Sequence, residues 1–268
     1  MVTRFVRCDS AVHFTELLPA PSAGHSVALL CIHALGTSHR LYDGLIEALG
    51  WRGPVLRYDL RGHGLSEIGE QPCTIASLAR DASQLLERLG QRTAVVCGTS
   101  VGGLIAQQLA LSDARVRAAV LCGTAARIGT LEGWRARIEQ VRAGGVASTW
   151  ELVERRWFTP AFRASQPDLV RGYRCLLERT PEAGYLALLQ ALSEADLTER
   201  VRDIRVPVLV VSGELDEATT PADGEQLASL IPAARFAQLA GASHLMSVEQ
   251  PGQLARLIDG FTRGLGLG

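Results

Sequence analysis

The 268-residue chain is predicted to be an α/β protein: a mostly parallel central sheet flanked by helices, with an inserted all-helical cap. Three observations predict it. Apolar, β-branched runs alternate with helical runs, the pattern that closes into a parallel sheet with right-handed crossovers. A glycine-rich turn, Cys97-Gly98-Thr99-Ser100-Val101-Gly102-Gly103, joins one such run to a helix. Between about 127 and 200 the strand-like runs vanish, and Arg, Glu and Leu recur at helical spacing. The expected core is therefore 1–126 with 201–268, and the expected cap is 127–200.

Taken in order, 5–17 and 25–32 read as strands joined by the turn-rich link Pro19-Ala20-Pro21-Ser22-Ala23-Gly24. The unbroken apolar run 27–32 marks a strand buried on both faces. A helix follows over 40–49 and a strand over 54–58. The stretch 74–89 carries Ile75, Leu78, Leu85 and Leu89 near the helical period. Thr93-Ala94-Val95-Val96 is the strand before the glycine-rich turn, 104–110 the helix after it, and 117–122 the next strand. Cap helices are expected near 131–142, 148–158, 167–178 and 181–193. Strands 206–213 and 234–239 complete the sheet.

Gly-x-Ser-x-Gly between a strand and a helix is a nucleophile elbow. Gly98 and Gly102 admit a bend too tight for side chains, and the bend lifts the Ser100 hydroxyl towards the helix N-terminus. Such a hydroxyl needs a base, and the base needs an orienter. With this elbow the acid and then the histidine follow in the loops after late strands. Glu214-Leu215-Asp216 follows strand 206–213. Gly241-Ala242-Ser243-His244 follows strand 234–239, and His244 is the only histidine after the elbow. The expected catalytic set is Ser100, Asp216 and His244. Glu214 and Glu217 are rivals for the orienter, and a loop aspartate otherwise serves as a turn former or cap.

Negative charge develops on the carbonyl oxygen in acyl transfer, and each preorganised N–H aimed at it is worth about 2.7–4 kcal/mol. Val101, directly after the nucleophile, offers one backbone N–H. Leu35, in the loop His33-Ala34-Leu35-Gly36-Thr37, offers the other, with Gly36 allowing the turn. His33 reads as a structural hydrogen-bonder. Asp59-Leu60-Arg61-Gly62-His63-Gly64-Leu65-Ser66 supplies another acid and histidine but lies upstream of the elbow. It reads as a tight loop pinned by side-chain-to-backbone hydrogen bonds.

Composition narrows the function classes. A net charge of −1 offers no field for nucleic acid or an anionic membrane. No apolar run reaches about 18 residues, the length of a membrane span, and the first ten residues lack the succession of a signal peptide. Cys8, Cys31, Cys73, Cys97, Cys122 and Cys175 show no C-x-x-C spacing, so a reduced, cytoplasmic protein without metal or cofactor is expected. Nothing in the sequence sets an oligomeric state. There is no lysine and no asparagine, and all 27 cationic side chains are arginine. Amine-nucleophile chemistry is thereby excluded, and anion recognition falls to the guanidinium fork.

The elbow, Arg57-Tyr58-Asp59-Leu60-Arg61-Gly62-His63-Gly64 and the late Asp and His loops resemble the α/β-hydrolases. More specifically, Leu121-Cys122-Gly123-Thr124-Ala125-Ala126-Arg127-Ile128-Gly129, Trp134-Arg135-Ala136-Arg137-Ile138, Arg142-Ala143-Gly144-Gly145 and Arg156-Trp157-Phe158-Thr159-Pro160-Ala161-Phe162 resemble the 3-oxoadipate enol-lactonases. The resemblance spans nearly the whole chain, cap included. It departs from the family at Thr99 and Val101, where Leu and Met are expected. Further departures are His33-Ala34 in place of a serine-containing stretch and Gly123 in place of Asn.

The resemblance implies an α/β-hydrolase fold and a small enol-lactone substrate bearing a free carboxylate. Opening through a Ser100 acyl-enzyme would give 3-oxoadipate, in the β-ketoadipate pathway of bacterial aromatic catabolism. On the first cap helix Trp134, Arg137, Ile138 and Val141 share a face by spacing. Arg137 is therefore the expected carboxylate clamp, with Trp134 and Trp157 as pocket walls, against the plainer reading of an arginine lying along a buried face. The rival functions are a broad carboxylesterase, a cofactor-independent perhydrolase or haloperoxidase, and a non-catalytic ligand receptor on the same fold.

Overall fold

The computed structural model describes residues 2–21, 24–70 and 72–267. Its eight-stranded sheet has the order β1-β2-β4-β3-β5-β6-β7-β8. The strands are β1 (Val2–Arg7), β2 (Val12–Leu18), β3 (Ala28–Ile32), β4 (Val55–Tyr58), β5 (Ala94–Thr99), β6 (Val116–Cys122), β7 (Val208–Gly213) and β8 (Ala234–Leu239). From β4 to β8 neighbours are parallel, whereas β1 and β2 form an antiparallel hairpin beside β4. The α/β class and the mostly parallel sheet are thus as expected. Strands β3 to β7 are buried almost throughout, which is why they read as apolar runs rather than as alternation.

Helices α1 (Asp43–Ala48), α2 (Ile75–Arg88) and α3 (Val101–Ser112) lie between the early strands. Thr74 and Ser77 cap α2 reciprocally, and Ile75, Leu78, Ala82 and Leu85 form its buried face. Between β6 and β7 the chain is helical: α4 (Leu131–Gly144), α5 (Trp150–Trp157), α6 (Pro160–Ser165), α7 (Pro167–Glu178) and α8 (Glu182–Glu194). Helices α9 (Pro221–Leu230), α10 (Met246–Glu249) and α11 (Pro251–Arg263) follow.

Three local expectations change. The predicted strand 5–17 is broken into β1 and β2 by a turn in which the Cys8 N–H donates to the Ala11 carbonyl. Asp9 and Ser10 are turn formers, and the Ser10 hydroxyl is tied to Asp81. The predicted helix 40–49 begins as a short 3₁₀ turn, His39–Tyr42, capped by Ser38, before α1. The six-residue α6 was absent from the expected cap helices. Thr159 caps it and Pro160 opens it, a start signal hidden by its short apolar content. The predicted link 19–24 falls partly outside the described residues.

The topology sets the site. β3 lies between β4 and β5, so successive connections leave it in opposite directions and open a crevice at its C-terminal end. Register places Ile32 of β3 beside Gly98 of β5. The loop at 33–37 and the turn at Ser100 therefore emerge side by side.

Candidate active site

Ser100 is the only described non-glycine residue with positive φ, at 59° with ψ −118°. A conformation of this kind costs about 1–3 kcal/mol and persists only where its surroundings hold it. Here the Ser100 N–H donates to the Cys122 carbonyl at 3.0 Å, and the Thr124 hydroxyl donates to the Ser100 carbonyl at 2.8 Å. The flanking glycines answer to close approach: a Cβ on Gly98 would sit 2.1 Å from the Gly102 carbonyl oxygen, and one on Gly102 2.1 Å from that of Ile32. The turn delivers Ser100 to the N-terminus of the twelve-residue α3, whose dipole favours negative charge there.

The histidine and acid meet. His244 Nδ1 lies 2.8 Å from Asp216 Oδ2, and both residues are buried. Asp216 also accepts the Ala218 and Thr219 N–H groups on Oδ1, at 2.7 and 3.0 Å, and the Thr219 hydroxyl on Oδ2 at 2.9 Å. Burial alone would raise the Asp216 carboxyl. The facing imidazole and these donors outweigh burial and hold it below the ordinary carboxylate range. The rivals go elsewhere, since Glu214 accepts the Gly241 N–H and Glu217 is exposed.

The His244 loop is stitched to the end of α5. His244 and Leu245 donate their N–H groups to the Arg156 and Trp157 carbonyls. Glu249 accepts the Ser243 N–H on one oxygen and the Thr159 N–H on the other, at 2.6 and 2.7 Å.

Leu35 and Val101 donate no backbone hydrogen bond to any described residue, and Leu35 lines the cavity that Ser100 opens into. Two imidazoles fix the Leu35 loop. His33 Nε2 accepts the Leu60 N–H, and its Nδ1 faces the Ala34 carbonyl at 2.8 Å. His63 Nε2 accepts the Gly36 N–H at 3.0 Å, and its Nδ1 faces the Arg61 carbonyl. Burial first, and then the neighbouring His63, push the His33 pKa down to about 3. Burial lowers His63 too, against the Arg61 carbonyl and Asp59. Each ring is thereby neutral with one nitrogen accepting. The loop after Asp59 is pinned as expected: Asp59 accepts from the His39 and Leu65 N–H groups.

Ser100, His244, Ala34, Leu35, Trp134, Arg137, Val153, Arg156, Trp157, Leu192 and Ala218 share one cavity of about 120 Å³ with Ile128 and Gly129. Ser100 Oγ has no hydrogen-bond partner among the described residues. Before substrate binds, nucleophile–base contacts of this kind are often loose. Arg137 donates to the Tyr185 hydroxyl at 2.7 Å, and the Tyr185 ring stacks on His63 with centroids 6.5 Å apart. Trp134 is steadied by its Nε1–H on the Ile128 carbonyl. All three predicted substrate contacts therefore reach the cavity.

Arg156, Thr124, Glu249 and Tyr185 join the site without having been expected there from the sequence. Arg156 had a signal, because it lies one helical turn from Val153, beside the buried face of α5. The others act through backbone or ring contacts that no spacing encodes.

This fold, with a strained serine at an elbow and a buried His–Asp pair beside it, defines an α/β-hydrolase. The α/β-hydrolase family matches residues 29–257, and the chain belongs to it. It is an enzyme that hydrolyses ester bonds. It is similar to 3-oxoadipate enol-lactonase 1 of Acinetobacter baylyi, 34% identical over 239 residues, 89% of each chain. It is also similar to 3-oxoadipate enol-lactonase 2 of that organism, 36% identical over 225 residues, 84% of each chain. Among solved structures, the enol-lactonase of Burkholderia xenovorans is 34% identical with a TM-score of 0.90, covering 94% of this chain and 97% of that one. Among the described residues no helix is long and apolar enough to cross a membrane.

Proposed function

We propose that the enzyme is a serine hydrolase that opens a small, carboxylate-bearing enol-lactone, 3-oxoadipate enol-lactone, to 3-oxoadipate in aromatic catabolism. The observation that carries the reading is one small cavity shared by Ser100, the Asp216-oriented His244 and a guanidinium. The similarity to 3-oxoadipate enol-lactonases over most of the chain supports the choice of lactone. Free thiols at Cys8, Cys31, Cys97, Cys122 and Cys175 support a cytoplasmic setting.

In this reading Ser100 Oγ attacks the lactone carbonyl as His244 Nε2 takes its proton, and Asp216 stabilises the imidazolium that forms. The Leu35 and Val101 N–H groups receive the oxyanion. Collapse breaks the ring C–O bond and releases an enolate that stays tethered to the acyl group. His244 returns the proton, and the enol tautomerises to a ketone. A water deprotonated by His244 then attacks the acyl-enzyme, and Ser100 leaves with that proton. Arg137, held by Tyr185, grips the distal carboxylate, while Trp134 and Trp157 wall the ring.

The test compares kcat/KM on the enol-lactone and on p-nitrophenyl acetate. The lactone is expected to be far the better substrate, and Arg137→Ala to cut that preference about tenfold or more, the worth of one charged hydrogen bond. Equal rates on both substrates, unmoved by Arg137→Ala, would reject the clamp and leave a broad carboxylesterase.

A further inference from the structure

Of the nine arginines from the start of α4 to the end of α8, four have acidic partners, Arg142 with Glu139, Arg163 with Glu154, Arg171 with Asp168 and Arg174 with Glu178, while Arg135, Arg155 and Arg179 are exposed to solvent. The two that reach the Ser100 cavity have neither an ion-pair partner among the described residues nor full exposure. Among the described residues Arg137 binds only the Tyr185 hydroxyl and ring, and its buried Nε has no partner. Arg156 forms no ion pair or side-chain hydrogen bond among the described residues. Its main chain, by contrast, is fully engaged, the carbonyl receiving the His244 N–H and the Ser243 hydroxyl.

Both arginines are half-buried, and burial together with the nearby Arg137 charge makes Arg156 a less comfortable cation than an exposed one. A partly desolvated guanidinium costs free energy unless an anion meets it. Two such groups side by side repel each other as well, and the nearby Glu217 and Asp216 carboxylates, which form no ion pair with Arg156, offset this only in part. Their location adds a second observation. A wider cavity of about 410 Å³ adjoins the Ser100 cavity, and the two share Gly129, Trp134, Arg137 and Arg156. The pair therefore stands at the neck between the reacting groups and the wider space.

We propose that Arg156 is a second anion-binding residue, so that the neck holds a dicarboxylate with one carboxylate on Arg137 and the other on Arg156. The proposal rests on the assignment of the Ser100 cavity as the substrate site. It adds that the ring-opened dianion, which bears one carboxylate more than the lactone, is bound more firmly than a monoanion of equal length. The enzyme would thus be restrained by its own class of product, and small dicarboxylates would occupy the site without reacting.

The experiment measures inhibition of p-nitrophenyl acetate hydrolysis by adipate and by hexanoate, which match in carbon count and differ in one carboxylate. An inhibition constant is compared within each variant and does not depend on how fast that variant turns over. In the unaltered enzyme adipate is expected to bind at least about tenfold more tightly than hexanoate, from one added charged contact. Arg156→Gln is expected to bring the two within about twofold, and Arg156→Lys to keep part of the difference. Thermal melting of each variant separates lost binding from lost folding.

Equal inhibition by both acids in the unaltered enzyme, or an adipate advantage that survives Arg156→Gln, would overturn the proposal. Equal loss in the Gln and Lys variants with unchanged melting would overturn it too, because charge would not be the cause. Failure of the lactonase reading looks different: adipate selectivity would persist while the enol-lactone went unhydrolysed.

Discussion

The two walls of the Ser100 cavity are built on opposite principles. On the sheet side, the polar groups that fix the reacting atoms have partners: the elbow carbonyl, Gly36 N–H, both imidazoles and the Asp216 carboxylate. On the helix side, Arg137 and Arg156 form no ion pair among the described residues. A hydrogen bond already made to the protein costs no reorganisation during reaction, which suits groups that stabilise charge as it develops. A guanidinium left unpaired keeps its interaction energy for the ligand. In the proposed reaction, chemistry is preorganised by the sheet and selectivity is held in reserve by the helices.

Damage to the sheet wall should therefore appear in kcat and damage to the helix wall in substrate preference. The largest expected effect is Asp216→Asn, which upsets the His244 tautomer. A loss of about 10⁴ in kcat is expected, with little change in KM. A loss confined to KM would show that Asp216 does not orient the base.

Next is the imidazole fastener of the Leu35 loop. His63→Leu strands the buried Gly36 N–H, and an unpaired buried donor costs about 1–3 kcal/mol. Since the proposed oxyanion donor, Leu35 N–H, rides on this loop, kcat should fall about tenfold with KM nearly unchanged. His63→Gln, which can accept the same N–H, should recover most of the rate. Failure of Gln to rescue would make the role one of packing against Tyr185.

The same pair predicts the acid limb of stability. His33 and His63 have depressed pKa values in the folded chain, so above the unfolded value they contribute their full stabilisation. The unfolded chain takes up protons first as pH falls. The melting temperature should therefore decline as pH drops from 6.5 towards 3, the ordinary and the folded value for His33. Asp216, also depressed, extends the loss below the ordinary carboxylate value of 3.8. A flat melting curve between pH 6.5 and 4 would contradict the buried neutral imidazoles.

The smallest effect is expected at Gly123, which has φ +49° and where an added Cβ would lie 3.2 Å from Asp216 Oδ2 and His244 Nδ1. Gly123→Ala should cost about 1–2 kcal/mol in stability, the left-handed backbone penalty, and lower kcat a few-fold. Unchanged kinetics would mean that the His–Asp pair tolerates a neighbour on this side.

Much of this was legible in the chain itself. Strand β8 is legible to the residue, because its flanking turns are unambiguous, and the elbow is legible from Gly98, Ser100 and Gly102. The order Ser100, Asp216, His244 followed from loops after late strands, and the helical face of Trp134 and Arg137 from spacing. The β1–β2 hairpin was not, because its buried Cys8 and Ala11 keep the apolar pattern running through the turn. Nor was α6, too short for periodicity to register.

What the sequence determined by itself is what local physics writes into neighbouring residues: periodic faces, a tight bend that the glycines beside Ser100 allow, and an all-arginine complement of cations. The tertiary structure decided which of those cations lack partners, which imidazole holds which loop, and which carbonyls anchor the histidine. Those facts depend on contacts between residues such as Gly36 and His63, or Thr159 and Glu249. Distant segments meet only when the core has packed, and no spacing along the chain records the meeting.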